Sequence, residues 1–526
     1  MGKYIRNKAG FIILAVLLSS AILVSCTTMD LGYSEAKGED VYPLNTENKL
    51  EIWCQLPEGV YKTNSTMNDI PLTKQLIKET GINISYTHPA YGSEVQQFNI
   101  LLAMDELPDI VMHTWSALSG GSERYIQNQT ILRLNDLIDK YSPHFKKYIK
   151  ENKDVDDLIK TPSGNYYMYP CILENQDMSV TSGLVIRDDL LRELNLDVPE
   201  TIDEWDTVLR AFKDKGVKTP FGIEWSGPEN VFAYAYNIYW GMYLDDGVVK
   251  YGPAEPAAAD FLERLNIWYS DGLLDQNFAY PDRQVFRTGF AQGSIGATNG
   301  HAGSMIGDMM DSVTDENYSL TAVPMPSLVK GEKSRVSTFD SRVLTYNEAA
   351  ITQNCKVPEV AARFLDFGYS DRGHMLYNFG IEGESYNMVD GYPRYSELIT
   401  NNPDLSFWNA VSQYILSTKS GPFVQDSRYM EQLYRLPQQK VAPSIWENEG
   451  DIQRMSAVKL TGEEMDEVGR SFMEIRSYTG QMKVKFIMGL VPMSEYPVYV
   501  EQLREMGLDR VLEVYQAAYD RFENNR

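Results

Sequence analysis

The stretch LEIWCQLP (residues 50–57) decides the fold once it is read with INISYTHPA (82–90) and DIVMHTW (109–115). Each is a short run rich in branched and aromatic residues, closed by proline or polar residues, which is how a buried strand reads. Between the first two runs the pattern predicts a helix over 71–80, with Pro71 in the first turn, where a missing N–H costs nothing. A second helix is predicted near 95–105. Strand, helix, strand, helix, strand implies a mostly parallel sheet, because parallel neighbours need a long crossover between them. The alternation returns at SGLVIRDDLL (182–191), a strand running into a helix, and at Thr201 with Glu204, a capping box opening a helix through Phe212. Near the end, LDRVLEVYQAAYDRF (508–522) sets Leu508, Val511, Leu512, Tyr515, Ala518, Tyr519 and Phe522 on one helical stripe, so a docked terminal helix is expected.

At the other end, Lys3, Arg6 and Lys8 precede an apolar run over 9–24 that stops at Ser25 and Cys26. A basic start and a short apolar stretch make a secretion leader, too short for a bilayer span. Leu23-Val24-Ser25-Cys26 resembles the bacterial lipobox, which makes Cys26 the expected lipidated first residue of the mature chain. Residues 26–49 lack periodicity and read as a flexible tether.

Cleavage before Cys26 leaves 501 residues, enough for two or more domains. It also takes three basic residues and no acidic ones, moving the formal net charge from −25 to −28. Such a chain has no electrostatic footing on nucleic acid. Cys54, Cys171 and Cys355 are odd in number and far apart, so they read as small buried residues, with one bridge and a leftover thiol the alternative.

Chemical signatures are scarce. His88, His113, His144, His301 and His374 show no ligand spacing, so neither a metal nor another cofactor is expected. GSIGATNG (293–300) has the wrong spacing for a phosphate loop, and GYSDRG (368–373) lacks the second glycine of a nucleophile elbow. With 73 acidic residues, a pair at glycosidase distance carries no information. The aromatics say more: 34 Tyr against 19 Phe and 8 Trp favours rings with a flat apolar face and a polar tip, suited to sugar rings. Trp115, just past a strand end, is better placed for a ligand than Trp53 within a strand.

Several segments in order resemble the family 1 extracellular solute-binding proteins of bacterial ABC importers, in particular the oligosaccharide-binding lipoproteins. They are ELPDIV (106–111), GNYYMYP (164–170), GLVIRDDLLRELNLDVPETIDEW (183–205), IWYSDGLLD (267–275), FAQGSIGA (290–297), CKVPEVAARFLDFGYS (355–370), GIEGESYNMVDGYP (380–393) and the terminal 485–522. The resemblance implies an α/β, two-lobed, type II periplasmic-binding-protein-like clamshell. It places residues 50–172 and 325–400 in lobe 1, and 173–324 and 401–526 in lobe 2, with crossings near 169–182 and 320–326. It implies a monomeric receptor, lipid-anchored on the extracytoplasmic face of the cell membrane, that passes an oligosaccharide to an ABC permease without catalysis. By position it points to His113, Trp115, Tyr169, Glu174, Asn299 and His301 as cleft residues. Trp225, Trp240, Arg342 and Trp408 come next, with Arg342 alternatively held in an internal ion pair. The segment after AFKDKG (211–216) lacks the spaced oxygen ligands of the family's calcium loop, so no calcium is expected there. The alternatives from other classes are a secreted glycoside hydrolase and a surface adhesin or sensor subunit.

Overall fold

The computed structural model describes residues 41–104, 106–118, 120–224, 227–416, 420–456 and 458–525. The leader over 1–25, Cys26, most of the tether and Trp225 lie outside the described residues. Residues 43–526 form one unit.

Along the chain the strands are β1 (Lys49–Trp53), β2 (Asn83–Thr87), β3 (Ile110–His113), β4 (Tyr169–Leu173), β5 (Ser182–Arg187) and β6 (Thr219–Phe221). There follow β7 (Met242–Asp245), β8 (Val248–Tyr251), β9 (Ile295–His301), β10 (Leu320–Val323) and β11 (Val343–Ile351). The last are β12 (Tyr386–Val389), β13 (Tyr392–Tyr395), β14 (Phe423–Gln425) and β15 (Gln453–Arg454). One sheet has the order β14-β4-β11-β3-β1-β2 and a second β10-β5-β9-β6, which gives the two-lobed α/β architecture. In the first, β1, β2 and β3 run parallel, so their carboxyl ends all leave the sheet on one side. In the second, β6 and β9 are parallel and share an exit side as well.

Local chemistry sets the elements where the pattern predicts them. The helix Pro71–Thr80 has proline at its first position and ends on Gly81, whose φ of 70° only glycine adopts without strain. Thr201 and Glu204 close both hydrogen bonds of a capping box on the helix Ile202–Lys215. That helix buries Trp205 in a nest of edge-to-face rings in which Phe232 meets Trp205, Phe221 and Trp268 at 5.0–5.2 Å. The terminal helix Leu508–Asn525 docks through Leu508, Val511, Val514 and Ala518. The stripe is therefore turned from the predicted one: Val514 lies on it, whereas Leu512, Tyr515 and Tyr519 only flank it. Cys54, Cys171 and Cys355 are buried free thiols.

The chain passes between the sheets three times. The first crossing joins β4 to β5 and the second joins β10 to β11. The third comes after β14, which pairs in parallel with β4 of the first sheet, and before the helix Pro437–Trp446, which packs on β10. β14, at Phe423–Gln425, thus belongs to the first sheet although it lies beyond the expected lobe boundary at residue 400. A three-residue strand has no periodicity to detect, and only its partner β4 reveals it.

Candidate functional site

The carboxyl ends of β1 and β2 open into a cavity of about 610 Å³. Open α/β sheets bind ligands at such ends because the loops there diverge. The loop after β1 supplies Tyr61, Lys62, Thr63, Asn64 and Ser65, and the loop after β2 supplies His88, Tyr91 and Glu94. Tyr61 and Tyr91 stack with centroids 4.5 Å apart and planes at 12°, and each ring stays half exposed. His88 is a fixture of the wall and no proton donor to solvent. Its Nδ1 lies 2.9 Å from the Cys54 carbonyl, and its Nε2 accepts from the Met67 amide at 3.1 Å. Burial lowers its pKa, in keeping with this neutral role. Glu94 accepts from the Gly92 amide at 2.9 Å and from the Gln55 side-chain amide at 3.3 Å, which ties the second loop to the first.

At the end of β3, His113 lies flat on Phe98 at 3.5 Å. Burial pushes its pKa down to about 4, so the ring is neutral at working pH. The following turn is held from behind by Glu348 of β11, whose carboxylate accepts from the Ser116 amide at 3.1 Å and its hydroxyl at 2.8 Å. Lys62 pairs with Glu58 at 3.0 Å and also acts on Asp308 of the helix Asp308–Ser312 beside the second sheet. Burial raises the Asp308 carboxyl, and Arg287, Arg435 and Lys62 draw it back.

Several residues named from the sequence take other roles. Trp115 is fully buried, its indole donating to the Val111 carbonyl at 3.1 Å, with Phe98 and Tyr125 against its faces and edge. Tyr169 is equally enclosed, sharing a hydrogen bond with Ser142 and packing on Phe145. Neither ring has a face open to a ligand. Trp115 follows the carboxyl end of β3 and Tyr169 opens β4, and in each case the side the ring takes is set by what packs against it. Asn299 is buried within β9. His301, half-buried at the end of β9, lies beside Thr181. Trp240 is half-buried against Phe261, and Trp408 is partly exposed on the short helix packed behind residues 58–61.

Arg342 and Glu174 belong to the hinge. Arg342 donates to the carbonyls of Leu173 and Glu174, to the Tyr148 hydroxyl and to the Asp154 carboxylate at 2.8–3.1 Å. Glu174 accepts from the Ser427 amide at 2.8 Å, so the three crossing segments meet in one knot. The ion pair expected as the alternative for Arg342 is made with Asp154, while Asp340 pairs with Arg454. Arg342→Met is expected to cost about 2 kcal/mol, because charge-assisted bonds are lost and carbonyls are stranded. A drop in urea midpoint reads this out, and an unchanged midpoint would show the knot to be idle.

The residues named from the sequence include neither Tyr61 nor Tyr91, although both follow strand ends.

The family model described as bacterial extracellular solute-binding protein matches residues 65–375. Over 97% of this chain and 98% of the relative, the sequence is 24% identical to the fructooligosaccharide ABC transporter substrate-binding protein FusA of Streptococcus pneumoniae. It is 25% identical to the lipoprotein LipO of Bacillus subtilis, over 79% of this chain and 81% of the relative. The crystal structure of the alginate-binding protein AlgQ2 without calcium ion superposes with a TM-score of 0.74 at 26% identity, covering 91% of this chain and 99% of that one. The chain belongs to the bacterial extracellular solute-binding proteins, and it is a binding protein and not an enzyme.

Proposed function

We propose that this chain is the lipid-anchored, monomeric receptor of a bacterial ABC importer, capturing an oligosaccharide outside the cytoplasm and handing it to the permease. The observation that carries the sugar assignment is the half-exposed Tyr61–Tyr91 pair on the rim of a roughly 610 Å³ cavity at the strand ends. A pyranose lays its apolar C–H face on such a ring while amide and hydroxyl groups such as Asn64 and Ser65 take its hydroxyls. The names of FusA and AlgQ2 support an oligosaccharide over a smaller solute. Ligand held between the lobes would favour one inter-lobe angle, and the permease would recognise that angle. The anchor rests on Leu23-Val24-Ser25-Cys26 and on the likeness to a lipoprotein. Two acyl chains on Cys26 would hold the protein stably at the membrane, where one would not.

The test is a thermal-shift screen of the purified chain against a glycan library. At least one oligosaccharide should raise the melting temperature, and Tyr61→Ala with Tyr91→Ala should remove that rise while leaving the unliganded melting temperature in place. A full shift in the double variant places the sugar elsewhere. For the anchor, Cys26→Ser is expected to release the protein from the membrane fraction, and retention would refute lipidation. Loss of sugar uptake on deletion separates a receptor from an adhesin or sensor.

A further inference from the structure

Three residues past the end of β6 stands Glu224, a carboxylate almost wholly buried. Its Oε1 accepts from the Nε of two arginines one helical turn apart, Arg283 at 3.1 Å and Arg287 at 2.6 Å. Both lie on the helix Arg283–Ala291, which Asp282 caps through the Val285 amide. Two cations therefore share a single carboxylate oxygen. Each spends only its Nε on it, and among the described residues neither guanidinium has another hydrogen bond or ion pair within contact distance. Both Nη forks remain available, with Arg283 more than half exposed and Arg287 partly so.

A buried carboxylate that fixes two guanidinium planes while leaving their forks open is an arrangement for gripping an anion. The forks match a carboxylate with two parallel N–H···O bonds, and the shared carboxylate holds them so that little rotamer freedom is lost on binding. The place is right for a ligand. β6 and β9 leave the second sheet on the same side, so Glu224, three residues past β6, and His301, at the end of β9, both stand at the carboxyl edge of that sheet. Arg287 and Lys62, the latter from the tyrosine cavity, both draw the raised Asp308 carboxyl back down. The chain's net charge of −25 disfavours a polyanion, so the pair suits a single acidic group.

We infer that Arg283 and Arg287, braced by Glu224, form a carboxylate subsite, so that the oligosaccharide carries a uronic acid residue. This inference rests on the sugar-receptor reading and narrows its substrate class.

The experiment titrates the mature chain with a galacturonate trisaccharide, an alginate trisaccharide, their carboxyl-reduced neutral counterparts and a sulfated trisaccharide of the same length. A uronate should bind about tenfold to a hundredfold more tightly than its neutral counterpart, the size of one charge-assisted contact. Arg283→Gln with Arg287→Gln should erase that preference and leave the neutral affinity in place. Because the double variant strands Glu224, a triple variant adding Glu224→Gln keeps the test valid if the double one folds poorly. Equal affinity for acidic and neutral sugars in the parent chain would overturn the inference, as would a preference that survives in the variants. Binding of the sulfated sugar alone would also overturn it. Tight binding of neutral glycans untouched by these substitutions would sink the subsite and leave the receptor standing. Failure of every glycan, acidic or neutral, to bind would instead fall on the receptor reading.

Discussion

Trp446→Ala is expected to destabilise the protein by about 3–5 kcal/mol, the usual cost of emptying a buried tryptophan site. The ring is fully enclosed in a cluster with Val185, Phe290, Met305, Ile306 and Leu320, and its indole N–H donates to the Leu184 carbonyl at 2.9 Å. It lies directly over Gly183, where even a Cβ would come within 2.4 Å of the ring. No neighbouring side chain can collapse into the vacated space from that side. The consequence is more than local, since Trp446 closes the helix that follows the third crossing and fixes it on β5. Trp446→Phe should recover most of the packing and lose only the indole bond, a smaller loss of about 1 kcal/mol. Urea melts of the two variants give the comparison, and a loss below 1 kcal/mol for the alanine variant would show that the ring does not carry this junction.

Asp366→Ala should cost about 2–4 kcal/mol, because it leaves one buried and one part-buried amide without an acceptor. Asp366 is fully buried and faces the start of the helix Pro143–Glu151. That helix opens on a proline without an N–H, so the carboxylate takes the next two amides, His144 at 3.4 Å and Phe145 at 2.8 Å. Burial pushes its pKa up to about 7, with the two amides and Arg363 working against the rise. An unfolded aspartate titrates near 4. Between about pH 4 and 7 the folded chain therefore keeps a proton that the unfolded chain has lost, and stability falls as pH rises through that window. Burial raises Glu348 as well, against the pull of Lys459, and adds a slope of the same sign. Asp366→Asn keeps an acceptor and cannot ionise, so its melting temperature should decline less from pH 4 to 8 than that of the parent chain. Parallel curves would mean that Asp366 does not titrate in this range.

Particular elements explain what was legible beforehand. Pro71, Gly81 and the Thr201–Glu204 box act on their own neighbours in sequence, so their helices could be read residue by residue. The strands of the first βαβαβ unit were readable because each is an apolar run long enough to stand out. β14 was not, since three residues carry no period and its identity comes from β4, some 250 positions earlier. The same distinction holds at the site. That loops follow the carboxyl ends of β1, β2 and β3 could be read from the order of elements along the chain. That Trp115 and Tyr169 turn inward while Tyr61 and Tyr91 face out depends on what packs behind each, namely Phe98, Tyr125, Ser142 and Phe145.

The sequence by itself determined the alternation that demands parallel sheets and the family to which the chain belongs. Each depends on local chemistry or on order along the chain. Tertiary structure alone decided the third crossing, the hinge knot of Arg342, Glu174 and Ser427, and the pairing of Arg283 with Arg287 on Glu224. Those features join residues up to 250 positions apart, and the side a side chain takes is fixed by the burial of its neighbours, which no local pattern records.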